Sequence, residues 1–140
     1  MAVLLKRVYE AASSRDGFRV LVDRLWPRGM TKEAAKVDLW LKDIAPSDEL
    51  RKWYHSRPTQ WPKFRERYLE ELSEPAALAA VEQLHAIAAK KKAITLLFGS
   101  KNLERNNAVV LKELLDGMKK PPHSTGGAAA AKVARQVRAR

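Results

Sequence analysis

Asp23, Arg24, Trp26 and Arg28 stand within six positions of one another, directly after the apolar run Val20-Leu21-Val22. An arginine fork gives two parallel hydrogen bonds to a phosphate or carboxylate. An indole supplies a flat wall, and a lone carboxylate either orients an arginine or acts as a base. A second group, Ser100, Lys101, Asn106 and Asn107, follows the apolar run Ala93 to Phe98 at the start of a helix, whose free N–H groups favour anions. If both groups meet at one edge of a sheet, they form a cationic pocket with a single carboxylate. The same residues also fit structural roles, with Asp23 and Arg24 closing the sheet, Trp26 in the core and Asn106 or Asn107 capping a helix.

A third cluster, Trp53-Tyr54-His55 with Arg51, Lys52 and Arg57, makes His55 a candidate acid or base near neutral pH, beside Asp23. His85, inside an alanine-rich stretch, reads as structural, and His123 lies near the C-terminal end. Three scattered histidines without carboxylates at ligand spacing predict no metal site, and nothing in the chain calls for a cofactor. Neither a Gly-x-Ser-x-Gly turn nor a phosphate-loop glycine pattern occurs. Arg65 and Arg67 beside Glu66, Glu70 and Glu71 read as a solvated helix face with weak ion pairs.

Composition narrows the classes. The 140 residues are long enough for one core, and with 46% hydrophobic residues and four tryptophans they suit a folded globule. The absence of cysteine removes disulfides, thiolate metal sites and thiol nucleophiles. No apolar run reaches the roughly 20 residues of a membrane span, so a cytoplasmic location is expected. Oligomeric state is not legible. The net charge of +11 is uneven, because Lys119, Lys120, Lys132, Arg135, Arg138 and Arg140 follow Met118 without any acid. Such a block can hold nucleic acid or acidic lipid through counterion release.

The positioning elements read as strands at Leu4 to Tyr9 and Phe18 to Asp23, and a helix capped by Thr31 whose Val37, Trp40, Leu41 and Ile44 share a face. Further helices follow over Asp48 to His55, from Trp61, through the alanine-rich stretch after Pro75, and from Asn106. Ala93 to Phe98, apolar throughout, reads as a central strand buried on both faces. The first two strands are too close in sequence to be parallel neighbours, so they pair antiparallel or are separated by a third. The expected fold is α/β, a small, mostly parallel sheet of about three strands covered by about five helices. It occupies residues 1–117, with 118–140 as a basic low-complexity tail.

Arg19 to Gly29, RVLVDRLWPRG, resembles the domain-of-unknown-function family DUF488 in its small YeaO-like branch. Lys32, Trp40, Ala45-Pro46-Ser47, Leu50 to Trp53, Phe64, Tyr68, Glu71-Leu72, Thr95 to Leu97 and Asn106 to Leu111 follow that branch in order, so the resemblance covers roughly residues 3 to 116. It implies that Asp23, Arg24, Trp26, Pro27 and Arg28 form a signature loop. It implies no reaction, and the thiol chemistry suggested by a cysteine near Asn106-Asn107 in longer relatives is excluded here. The expected function is binding of an anionic small molecule or nucleotide, with Arg24, Arg28 and Lys101 on charge, Asp23 orienting Arg24 or acting as base, Trp26 as a wall and Asn106 adding polar contacts. Two alternatives are a nucleic-acid-binding protein acting through its basic tail and an interaction scaffold presenting Trp26, Trp53 or Trp61.

Overall fold

The computed structural model describes residues 2–118, so the basic residues from Lys119 to Arg140 lie outside the described residues. The sheet has four strands, β1 (Ala2–Arg7), β2 (Phe18–Leu21), β3 (Leu39–Trp40) and β4 (Ala93–Phe98), in the order β1-β4-β2-β3. Every pairing is parallel, with Leu5 opposite Leu96 and Leu21 opposite Leu97. The first two strands are thus separated by a third, β4, because the connection between them is too short for a direct parallel crossover. Placed centrally, β4 is buried from Ile94 to Phe98, which explains its unbroken apolar sequence.

The two faces of β4 serve different cores. Ile94, Leu96 and Phe98 join Val3, Val20 and Val22 in the larger core. Apolar residues reach that core from α2 (Asp48–His55), α3 (Trp61–Glu71), α4 (Pro75–Lys90) and α5 (Asn107–Asp116). Leu97 and Leu21 face the smaller cluster, with Val8, Ala35, Trp26, Met30, Val37 and Trp40 packed on it. Met118, expected at the head of the tail, is buried in the larger core, and its carbonyl lies 3.4 Å from Nε2 of His85. His85 is accordingly a core residue.

The helix expected from Thr31 to Ile44 is corrected by the structure to a single turn, α1 (Lys32–Ala35). Thr31 does cap it, accepting from the Ala34 N–H at 3.1 Å. Lys36 then turns left-handed at φ 47°, ending the helix. Buried Arg19 fixes that ending: its guanidinium donates to the carbonyls of Ala35 at 2.8 Å and Lys36 at 3.1 Å. Leu39–Trp40 then joins β2 as the fourth strand, one more than expected, and Lys42–Ile44 forms a 3-10 turn.

Arg19 also pairs with Asp16, whose carboxylate binds Lys6 at 3.2 Å and accepts from the Ser13 N–H at 3.0 Å. Burial pushes the Asp16 carboxyl upward, but the Ser13 N–H, Lys6 and Arg19 outweigh it and hold it below the usual value of 3.8. Arg65 is another correction. It is buried rather than solvated, and its guanidinium donates to Glu113 at 2.6 and 3.0 Å, joining α3 to α5. Arg67 lies over the Trp53 ring, 4.5 Å from its centroid.

Candidate functional site

Because β2 and β4 are parallel neighbours, their carboxyl ends open side by side, and the segments that follow them form one rim. The backbone continues the pairing a step past β2, where the Val22 N–H donates to Leu97 O at 3.1 Å. Asp23 then turns its side chain across to the other exit. Its Oδ2 accepts from the Gly99 N–H at 2.8 Å and its Oδ1 from Asn107 Nδ2 at 3.1 Å. Asn107 Nδ2 also donates to Val22 O at 3.0 Å, and Trp40 Nε1 to Asp23 O at 2.8 Å. Burial raises the Asp23 carboxyl above its ordinary value, although the Gly99 and Asn107 donors and the charge of Arg51 pull the other way.

Arg24 lines the cleft and braces its edge. Its Nε donates to Pro46 O at 3.1 Å and its Nη2 to Ala45 O at 3.3 Å, tying the β2 exit to the segment before α2. Trp26 donates through Nε1 to Met30 O at 2.7 Å and packs edge-on against Trp40 at 5.4 Å. Arg28 is exposed, and among the described residues its side chain has no hydrogen bond or ion pair. Its carbonyl accepts from the Tyr9 hydroxyl at 3.1 Å. Arg7 braces the opposite side, donating to Ser100 O at 2.9 Å and Gly99 O at 3.2 Å while its guanidinium lies 5.0 Å from the Tyr9 ring centroid. The end of β1 therefore clamps both exit loops.

The loop after β4 is organised by short polar side chains. Ser100 Oγ accepts from the Asn102 N–H at 3.1 Å, and Asn102 Oδ1 accepts from the N–H groups of Glu104 and Arg105 at 3.0 and 2.9 Å. Asn106, 3% exposed, is the N-cap of α5: its Oδ1 accepts from the Val109 N–H at 3.0 Å and its amide donates to Asn102 O at 2.8 Å. Lys101 and Arg105 are exposed, and among the described residues their side chains make no hydrogen bond or ion pair.

Helix α2 forms the facing wall. Its cap, Ser47, is pinned to the end of α3 by Glu71, which accepts from the Ser47 N–H at 2.8 Å and hydroxyl at 2.6 Å. That anchor sets the side of α2 carrying Arg51, Tyr54 and His55, which are spaced as i, i+3 and i+4. The Tyr54 ring stacks on Phe64 at 4.3 Å and 20°. Burial raises its hydroxyl above the ordinary value, with the charge of Arg105 opposing. Beneath, the buried Tyr68 hydroxyl donates to Ile44 O at 2.5 Å.

These elements enclose a cleft of about 610 Å³. All nine residues expected at a site, Asp23, Arg24, Trp26, Arg28, His55, Ser100, Lys101, Asn106 and Asn107, line it. Arg51 and Tyr54, from the cluster read around His55, also line it, as do Arg105 and Tyr9, which the sequence reading does not single out. The helical spacing of Arg51, Tyr54 and His55 was a usable signal for a shared face. Nothing local in sequence points Arg105 or Tyr9 at the cleft. Among the described lining residues, Arg24, Arg28, Arg51, Lys101 and Arg105 are cationic and Asp23 is the one acid. Preorganised cations in a concave wall attract anions and hold them with charge-assisted hydrogen bonds. No helix is long and apolar enough to cross a membrane among the described residues.

This α/β architecture and its Asp-Arg-x-Trp-Pro-Arg loop belong with a defined group of sequences: the chain is a member of the DUF488 family, matching over residues 2–131 the group described as the inactive DUF488-N3 subclade. The match runs past residue 116, where the resemblance was expected to stop. An uncharacterized protein of Mycobacterium tuberculosis is 44% identical over 115 residues, covering 82% of this chain and 94% of its own. The uncharacterized protein YeaO of Escherichia coli is 44% identical over 119 residues, covering 82% of this chain and 97% of its own. No solved structure matches the chain significantly.

Proposed function

We propose that this protein binds a small anionic molecule in the cleft between the β2 and β4 exits and α2, without turning it over. The observation that carries the reading is the charge of the lining: five cations around one partly buried carboxylate. Arg28, Lys101 and Arg105 supply the contacts to charge, since their side chains make no hydrogen bond or ion pair among the described residues. Arg51 adds charge from α2 while holding Asp48 at 2.6 Å. Arg24 keeps the loop in place through Ala45 and Pro46, so its part is positioning rather than the direct contact first expected. Asp23 likewise spends both oxygens on Gly99 and Asn107, which favours a structural role over that of a base. His55, exposed on the rim, offers an anion a further ring N–H donor. The word inactive in the subclade's description supports binding without catalysis.

A thermal-shift screen of the full chain against phosphorylated metabolites, nucleotides and dicarboxylates tests this reading. The expected result is stabilisation by at least one class, reduced when Arg28, Lys101 and Arg105 are replaced together by alanine. Equal stabilisation of parent and triple variant removes the reading. Arg24→Ala is a poor probe, because it also frees two backbone carbonyls.

A second reading rests on composition: six basic residues and no acid after Met118 favour nucleic acid bound by counterion release, with affinity falling steeply as salt rises. The scaffold reading loses support. Trp26, Trp53 and Trp61 are each half-buried, with Trp26 against Trp40, Trp53 under Arg67 and Trp61 stacked near Phe64.

A further inference from the structure

We infer that the ligand joins a phosphate group to a flat ring, as a mononucleotide does, an inference that rests on the anion-binding reading above. The cleft carries two kinds of wall. Arg28, Lys101 and Arg105 bring three cationic side chains with no hydrogen bond or ion pair among the described residues, more than a single carboxylate would engage. A phosphate has three terminal oxygens and up to two charges, and it accepts several charge-assisted bonds at once.

The other wall is aromatic. Tyr54 stacks on Phe64 at 4.3 Å, its hydroxyl donates to Arg105 O at 3.3 Å, and the half-buried residue borders the cleft. Tyr9, 42% exposed, borders it too, steadied by its hydroxyl bond to Arg28 O and by the Arg7 guanidinium. A ring held in place by its neighbours at the border of a cleft is a stacking platform, which loses little freedom when a base settles on it. The volume of about 610 Å³ falls among small-molecule sites, roughly 300–1,000 Å³. The opening at the amino ends of β2 and β4 makes a useful contrast. It gathers Arg15, Lys91 and Lys92 with one acid, Asp38, and a single ring, Phe18, where the cleft offers two tyrosine rings.

The chemistry of a phosphate next to a base has two sources, a free mononucleotide and the 5′-phosphorylated end of a strand. The favoured source is the free mononucleotide, because the cleft is walled by α2 on one side and the two loops on the other.

The test is isothermal titration of the full chain, with intrinsic tryptophan emission as a second readout, against inorganic phosphate, ribose 5-phosphate, adenosine, adenosine monophosphate and a 5′-phosphorylated dinucleotide. Adenosine monophosphate should bind about tenfold or more tighter than ribose 5-phosphate, since stacking of one base contributes about that factor. Adenosine alone should bind more weakly still. Tyr54→Leu should bring adenosine monophosphate down to the level of ribose 5-phosphate, whereas Lys101→Ala should weaken every phosphate compound. The probe series on the unaltered chain stands even where Tyr54→Leu fails to fold. Ribose 5-phosphate binding as tightly as adenosine monophosphate overturns this inference and leaves the anion-binding reading intact. If none of the probes nor any other anion binds, both fail. A dinucleotide that binds at least as tightly as the mononucleotide, with the same dependence on Tyr54, moves the source to a strand end.

Discussion

The carboxylate of Asp23 accepts the Gly99 N–H at 2.8 Å and so fastens the exit of β2 to the exit of β4 at the floor of the cleft. A Cβ placed on Gly99 would stand 3.3 Å from that oxygen, so the contact leaves little room for a side chain there. Removing the acceptor strands a partly buried donor. Asp23→Ala should lower stability by about 1–3 kcal/mol, read from the urea midpoint at unchanged slope.

Asp23 and Asp16 should respond to pH in opposite senses. The folded-state value of Asp23 is raised above 3.8, so its stabilising contribution is full below that value and is lost as pH rises through the folded one. Asp16 is lowered, so its contribution is present above 3.8 and is lost as pH falls through its folded value. Urea unfolding between about pH 3 and about pH 7 should therefore show Asp23→Asn gaining on the parent as pH rises and Asp16→Asn losing ground. Parallel curves for the two variants would contradict this assignment of the two carboxylates.

Gly17 has a backbone requirement. Its φ is +65°, and a Cβ there would fall 2.2 Å from Ala93 O, a backbone atom at the start of the central strand. Gly17→Ala combines left-handed strain with a collision that no rotamer relieves, for a loss of about 2–4 kcal/mol. The fall in melting temperature checks it, and a change within about 0.5 kcal/mol, as for an ordinary surface site, would refute it.

Tyr9 acts on the cleft rather than on the core. Tyr9→Phe removes one exposed bond to Arg28 O, a stability change of about 1 kcal/mol or less. Amide hydrogen exchange should nevertheless quicken in residues 24–30, and ligand affinity should fall. Unchanged exchange there would deny Tyr9 its clamping role.

Legibility in the sequence followed the range of the interactions involved. Ala93 to Phe98 was readable because burial on both faces imposes an unbroken apolar run. The segment from Val37 to Ile44 misled, because its apolar spacing fits a helical face, while the outcome turned on Arg19 reaching the Ala35 and Lys36 carbonyls from another strand. Arg65 misled for a similar reason, since its partner Glu113 is 48 positions away. At the site, strand-exit reasoning located two groups of residues that the adjacency of β2 and β4 brings into one cleft. It assigned Arg24 to the ligand, and the bracing of Ala45 and Pro46 by the same guanidinium was not legible, because those partners lie 21 and 22 positions away. Tyr9 and Arg105 carry no local pattern, and only the tertiary arrangement turns them to the same space.

The reading through the cleft and the reading through the basic C-terminal residues part on one deletion. Removing residues 119–140 should leave small-anion binding within about twofold while reducing any salt-sensitive nucleic-acid binding. Loss of both together would place anion binding outside the cleft.

The most direct test of the central claim is an amide chemical-shift titration of the full chain with adenosine monophosphate. Shifts concentrated at residues 24–28, 51–58 and 99–107, and lost when Arg28, Lys101 and Arg105 are replaced by alanine, are the predicted result. Shifts confined to Lys90–Lys92 or to residues after Met118 would contradict the account.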